Sequence, residues 1–106
     1  MTPEQFKDSA RAMFNPSIRG HQNASKDPMF FRGKLVKETA RAKLFGNLHL
    51  DGDEQEKEGR YWIPDTAHAH HPTGAGWYLI AIDRAFMPKL KPAFERPRNL
   101  NAYFGG

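Results

Sequence analysis

The residue pattern predicts an α+β fold. One N-terminal helix packs on a small antiparallel sheet of about three strands, open to curling toward a barrel, and an extended basic tail follows. Three observations carry this reading. Phe6, Ala10, Met13 and Phe14 recur at helical spacing. From Ala40 to Leu50 apolar and polar residues alternate. Trp77 to Ile82 is a short run that is apolar on both faces, as suits a central or helix-covered strand. At 106 residues the chain holds one domain, assigned to 1–90, with 91–106 as the tail.

The first helix opens at Thr2-Pro3-Glu4-Gln5, where Thr2 caps, Pro3 suits the first turn and Gln5 completes a capping box. Its apolar stripe docks on the core, or alternatively offers Phe6 and Phe14 to a partner protein. Residues 17–28 read as a polar loop. In the 40–50 segment the even positions are apolar, while Arg41, Lys43, Phe45, Asn47 and His49 fall on the other face. A helix over 34–45 stopped by Gly46 competes. The alternation continues past Gly46, which favours the strand. An acidic turn at 51–59 connects it to a second strand, Arg60 to Pro64, and Trp77 to Ile82 is the third. Asp83 then caps a single helical turn that Pro88 stops, and the chain runs on extended.

Glu38-Thr39, Ala42 and Leu44, followed by Arg60-Tyr61-Trp62-Ile63-Pro64, resemble a class of small proteins encoded by phages and mobile elements. That class carries the pattern E-T-x-x-A-x-L and then W-I/L-P-K-S. The resemblance covers residues 33–90 and departs at Asp65-Thr66, which stand where the pattern has Lys-Ser. It implies a small β-rich fold and a phage or plasmid origin, hence the cytoplasm of a bacterial host, and it carries no activity or site residue across.

The composition narrows the chemistry. With no cysteine there is no disulfide, thiolate zinc site or thiol nucleophile, and an intracellular setting is expected. No apolar run is long enough to span a bilayer, so no membrane partner is expected. The serines lie in no nucleophile-elbow context and no phosphate-loop glycine pattern occurs, so the reading is non-enzymatic with no cofactor. Asp65, His68, His70 and His71 are ligand types that suit zinc. Their spacing matches no zinc pattern and turn residues flank them on both sides, so 65–76 reads as a solvated loop and no metal is expected.

The net charge is +4 and unevenly placed: residues 34–50 hold four basic side chains against one acidic, and 84–106 hold five against one. Nucleic acid, single-stranded or non-specific, is therefore the leading expected partner. The wet strand face of Arg41, Lys43, Phe45, Asn47 and His49 mixes phosphate-neutralising charge with an aromatic ring. The tail adds Lys89, Lys91, Arg96 and Arg98 as a basic arm. Phe45 either stacks on a base or lies under the N-terminal helix. A host-protein inhibitor anchored by aromatic residues, including Phe94, Tyr103 and Phe104, is the alternative. A structural or assembly subunit is the second alternative. If all five histidines titrate freely, acidification moves the charge from +4 toward +9 and strengthens polyanion binding.

Overall fold

The computed structural model describes residues 1–14, 28–55 and 57–95. Helix α1 (Pro3–Met13) begins with the capping box the sequence predicts: the Gln5 backbone N–H donates to Thr2 Oγ1 at 3.1 Å, and the Thr2 N–H to Gln5 Oε1 at 2.8 Å. Five strands follow: β1 (Met29–Glu38), β2 (Ala42–Leu50), β3 (Arg60–Pro64), β4 (His68–Gly74) and β5 (Trp77–Ile82). Helix α2 (Met87–Glu95) completes the described chain. The class is α+β, and the sheet has five strands instead of three, all antiparallel in the order β3-β2-β1-β5-β4.

Both additional strands fall where local signals mislead. β1 occupies the region where a helix competed. Thr39 ends it by folding its hydroxyl onto Ala42, with Oγ1 at 3.1 Å from both the Ala42 N–H and the Ala42 carbonyl, and this turn sends the chain back as β2. β4 replaces the loop expected over 65–76. Only its far end turns, through Gly74, Ala75 and Gly76, all at positive φ. The extended tail is corrected as well. Pro88 falls in the first turn of α2, where its missing N–H costs nothing, so it opens a helix instead of stopping one. Helix α2 therefore holds Lys89 and Lys91, while Arg96 and Arg98 lie outside the described residues.

The sheet does not close into a barrel, yet it must coil. A flat five-stranded sheet puts its edges about 19 Å apart, four spacings of about 4.8 Å. Here the edge strands β3 and β4 are consecutive, joined only by a 3₁₀ turn at Asp65–Ala67. Four Cα steps reach at most about 15 Å, and less in a 3₁₀ turn. The end of β3, beside Ala42, and the start of β4, beside Ile82, therefore approach as diagonal corners of the sheet, and one face becomes concave. Phe31, Phe45, Leu48, Ile63, Ile80 and Ile82 fill the concave side, and Met87 and Leu90 of α2 pack against them. Among the described residues the convex face is covered only in part: Phe6 and Ala10 of α1 and Phe14, its C-cap, lie on Leu79 and Ala81, with Phe30 and Ala69 at the margin.

Asp51 fastens α1 to the sheet. Its two carboxylate oxygens accept from Lys7 Nζ at 2.9 Å and from Arg32 Nε at 2.7 Å. The first residue of the acidic turn is thus a bridge between elements and not part of a solvated run.

A candidate binding face on the open half of the sheet

Strand parity in β2 changes part-way along. The pairing with β1 runs Phe45 to Leu35 and Gly46 to Lys34, then resumes at His49 to Arg32, so Asn47 and Leu48 stand against Gly33 alone. This is a β-bulge, and Asn47 adopts the left-handed conformation it needs, φ 51°. Before the bulge the odd residues Lys43 and Phe45 point into the concave core; after it the even residues Leu48 and Leu50 do.

The binding face expected at Arg41, Lys43, Phe45, Asn47 and His49 is therefore not a single face. Phe45 is 0 % exposed, and it is buried by the concave side, not by α1. Its ring meets those of His68 at 5.5 Å and Tyr78 at 6.2 Å. A ring so enclosed does not stack on a base. Lys43 is half-buried and pairs with Asp65 at 2.9 Å. Asn47 sits in the bulge, and His49 is buried with its Nδ1–H donating to the Asn47 carbonyl at 2.7 Å. Arg41 is exposed, but at the hairpin turn. Lys89 and Lys91 are exposed on α2.

The zinc-type residues divide between the two faces. His71 is on the convex side, its ring stacked on Phe6 at 5.5 Å. His68 and His70 are on the concave side with Phe45. Among the described residues no group of three or more His, Cys, Asp or Glu converges as a metal site.

The concave pair forms a directed chain instead. The Pro64 carbonyl can only accept, so His68 Nδ1, 2.8 Å away, carries the proton. In the neutral ring Nε2 is then a lone pair, and His70 Nδ1 donates to it at 3.2 Å. Burial lowers the pKa of His68, more than the Pro64 hydrogen bond raises it. His70 is lowered by partial loss of water and by the Lys43 ammonium. The Lys43 hydrogen bond holds the Asp65 carboxyl below its ordinary value.

Among the described residues, nothing covers the half of the convex face that α1 does not reach. There the registers of three strand pairs align four residues in one row across the sheet: Arg60, Gly46, Lys34 and Trp77. Lys34 Nζ stands 5.2 Å from the centre of the Trp77 ring. Gly46, having no side chain, leaves a groove of about 550 Å³ between Lys34 and Arg60, bordered by Val36, Asn47 and Glu58. Arg32, His49, Thr73 and Gly74 line a shallower hollow beside Trp77. One step along, Trp62 pairs with Leu44 and stands 46 % exposed, and Val36 is 45 % exposed.

This site was partly legible. Arg60 and Trp62 alternate with the partly buried Tyr61 and the buried Ile63, which puts both on a wet face. Lys34 and Trp77 could not be joined to them without the strand order. Comparison with protein-family models, with curated proteins and with solved structures finds no match for this chain. Among the described residues no helix is long and apolar enough to cross a membrane.

Proposed function

We propose that this protein is a non-enzymatic nucleic-acid-binding protein, taking single strands or binding without sequence preference through the open half of its convex sheet face. The supporting observation is the row Arg60–Gly46–Lys34–Trp77 with Trp62 beside it. Two cations flank a side-chain-free gap wide enough for a backbone, and two indoles stand on the same face. Cations that follow a phosphate chain and aromatic rings that stack on bases are what sequence-tolerant binding requires. A net charge of +4 favours the encounter.

The test is a titration with a labelled single-stranded oligonucleotide at two salt concentrations. If three phosphates are neutralised, at a slope of about −0.7 each, affinity falls roughly twentyfold between about 50 and 200 mM salt. Lys34→Glu with Arg60→Glu should abolish most of the binding, and Trp62→Ala should cost about 1–3 kcal/mol if the indole stacks. Absence of binding at low salt, or binding that ignores both changes, rejects the proposal. The exposure of both Val36 and Trp62 on this face favours a second reading, a protein partner seated on the same face. Such a partner would be lost with Trp62→Ala, would survive nuclease and would respond weakly to salt.

A further inference from the structure

Strand β3 is an edge of the sheet, and the hydrogen bonds at its two ends fix which of its backbone groups face outward. At one end of the β2–β3 ladder the Asn47 N–H donates to the Gly59 carbonyl at 3.1 Å, and at the other the Asp65 N–H donates to the Arg41 carbonyl at 2.8 Å. Between them the register is unbroken, from Gly46 against Arg60 to Ala42 against Pro64. In an antiparallel pair, residues whose backbone groups turn toward the partner alternate with residues whose groups turn away. Both flanking bonds join odd-numbered residues, so Tyr61 and Ile63 bond to β2, while Arg60, Trp62 and Pro64 turn their backbone groups outward. Pro64 gives an independent sign of the same parity, since its carbonyl accepts from His68 Nδ1, outside the ladder, at 2.8 Å. Among the described residues, no partner accounts for the backbone N–H and C=O of Arg60 and Trp62.

The opposite edge is not equivalent. The Asp83 N–H donates to the Ala67 carbonyl at 2.8 Å, and the β4–β5 register continues from there with His68 against Ile82. The same parity turns His68, His70 and Pro72 outward, and Pro72 has no N–H to offer. A proline at an outward position blunts an edge against further pairing. On β3 the proline is the last residue, so Arg60 and Trp62 are left as a complete pairing site. Their side chains are exposed on the convex face.

We infer that the chain pairs with a second copy of itself through β3, antiparallel about a two-fold axis at Tyr61, joining the two sheets into one. Pairing β3 with the β4 of another copy would meet Pro72 and would propagate without closing, whereas a two-fold pairing closes. The side chains choose the register. With the axis at Tyr61, Arg60 lies opposite the Trp62 of the second copy, and each both donates to and accepts from the other. Every outward N–H and C=O of these residues is then satisfied, and a guanidinium lies across from an indole on either side of the axis, a favourable pairing. An axis at Trp62 would set Arg60 against Pro64, which cannot donate, and would leave the Arg60 carbonyl unpaired. An axis at Arg60 would set like charges opposite each other. A strand of 5 residues is about 17 Å long, and edge pairing of that length falls short of the roughly 1,200–2,000 Å² of a stable complex. The dimer is therefore weak, with a dissociation constant in the micromolar range. Arg60 and Trp62 belong to the nucleic-acid reading as well, but the dimer is held by the backbone edge and does not depend on that reading.

The test uses the full chain without nucleic acid, so its failure leaves the nucleic-acid reading untouched. In sedimentation equilibrium from about 10 µM to about 1 mM, the mass should rise from that of the monomer toward twice that value. Amide hydrogen exchange, read residue by residue over the same range, locates the contact. The Arg60 and Trp62 amides should exchange severalfold more slowly at the high concentration, while Tyr61 and Ile63 stay equally protected at both. Arg60→Pro removes an outward N–H at the first residue of an edge strand, where proline is tolerated, and should raise the dissociation constant about tenfold or more. The exchange measurement is made on the unaltered chain, so it decides the matter even if Arg60→Pro does not fold. The inference is overturned by a monomer across the whole range, by association that leaves the Arg60 and Trp62 amides unchanged, or by a folded Arg60→Pro protein that dimerises like the wild type.

Discussion

The imidazole of His70 donates to that of His68 across 3.2 Å, inside a fold that lowers the pKa of both rings. The arrangement depends on His68 being neutral, since a second proton at its Nε2 would meet the proton of His70. Acidification therefore works against the native state here.

The sign of the pH effect follows. Both folded pKa values lie below the ordinary 6.5, so between the two values the unfolded chain binds more protons than the folded one. Stability contributed by this pair is complete above about pH 6.5 and declines as pH falls toward the lowered folded values. Melting temperatures from about pH 7.5 down to 5 should fall, and His70→Ala should flatten the decline. A protein that grows more stable on acidification, or a variant with the wild-type slope, contradicts the arrangement. Free ionisation of all five histidines, and the full rise toward +9, is not expected, because His68 and His70 resist protonation.

Asp51→Asn should have two effects of opposite sign. Burial by itself would raise the Asp51 carboxyl, but hydrogen bonds from Arg32 and Lys7 outweigh it and hold the pKa below normal. Removing that charge from a partly buried pair of bonds should cost about 1–2 kcal/mol in a denaturant titration. Arg32, at the edge of the open face, is released from its partner by the same change, so oligonucleotide affinity at low salt should increase. Unchanged stability would mean that α1 is held by its apolar stripe alone.

Two glycines one strand apart should respond differently to alanine. A Cβ on Gly33 would meet the Gly46 carbonyl oxygen at 3.1 Å, with Leu48 and Ile80 methyl carbons at 3.3 and 3.4 Å. A backbone oxygen inside a ladder has nowhere to go, and Gly33→Ala should lose about 1–3 kcal/mol. A Cβ on Gly46 would meet only the Val36 methyl at 3.0 Å and Arg60 Cγ at 3.7 Å. Val36 is exposed and can turn aside, so Gly46→Ala should stay within about 1 kcal/mol of the wild type. Equal costs in thermal unfolding would contradict the local geometry.

Phe45 separates a core role from a binding role. Phe45→Ala should cost about 3–5 kcal/mol, enough to unfold much of a domain this small. Phe45→Leu keeps an apolar filler and should fold, with oligonucleotide affinity equal to the wild type. A folded Phe45→Leu protein that binds more weakly by about 1–3 kcal/mol would restore a stacking role to this ring.

The sequence by itself determined those elements whose signals are local. The capping box and apolar stripe of α1 specify a helix because each contact lies within four residues. Alternation in Arg60 to Pro64 and the unbroken apolar run of β5 specify strands, and Leu79 to Ile82 of that run are buried on both sides, while Trp77 and Tyr78 are only partly buried. Asp83 caps its turn through a side chain two residues from its partner, the Ala85 N–H.

Which face each β2 residue occupies was decided only by the tertiary structure. Alternation states that neighbours point apart, not where the phase slips. Asn47 in the left-handed conformation, facing Gly33 with Leu48, reverses the phase, so Lys43 and Phe45 turn inward and Leu48 and Leu50 stay inward. Strand β4 was hidden for a related reason. His68, His70 and Pro72 carry no apolar signal, and the segment becomes a strand because β5 offers it an edge and the three-residue turn after β3 leaves it nowhere else to pair. The row of Arg60, Gly46, Lys34 and Trp77 spans four strands and 44 residues of sequence positions 34–77. Its members become neighbours through strand order alone, a long-range pairing that no local spacing encodes.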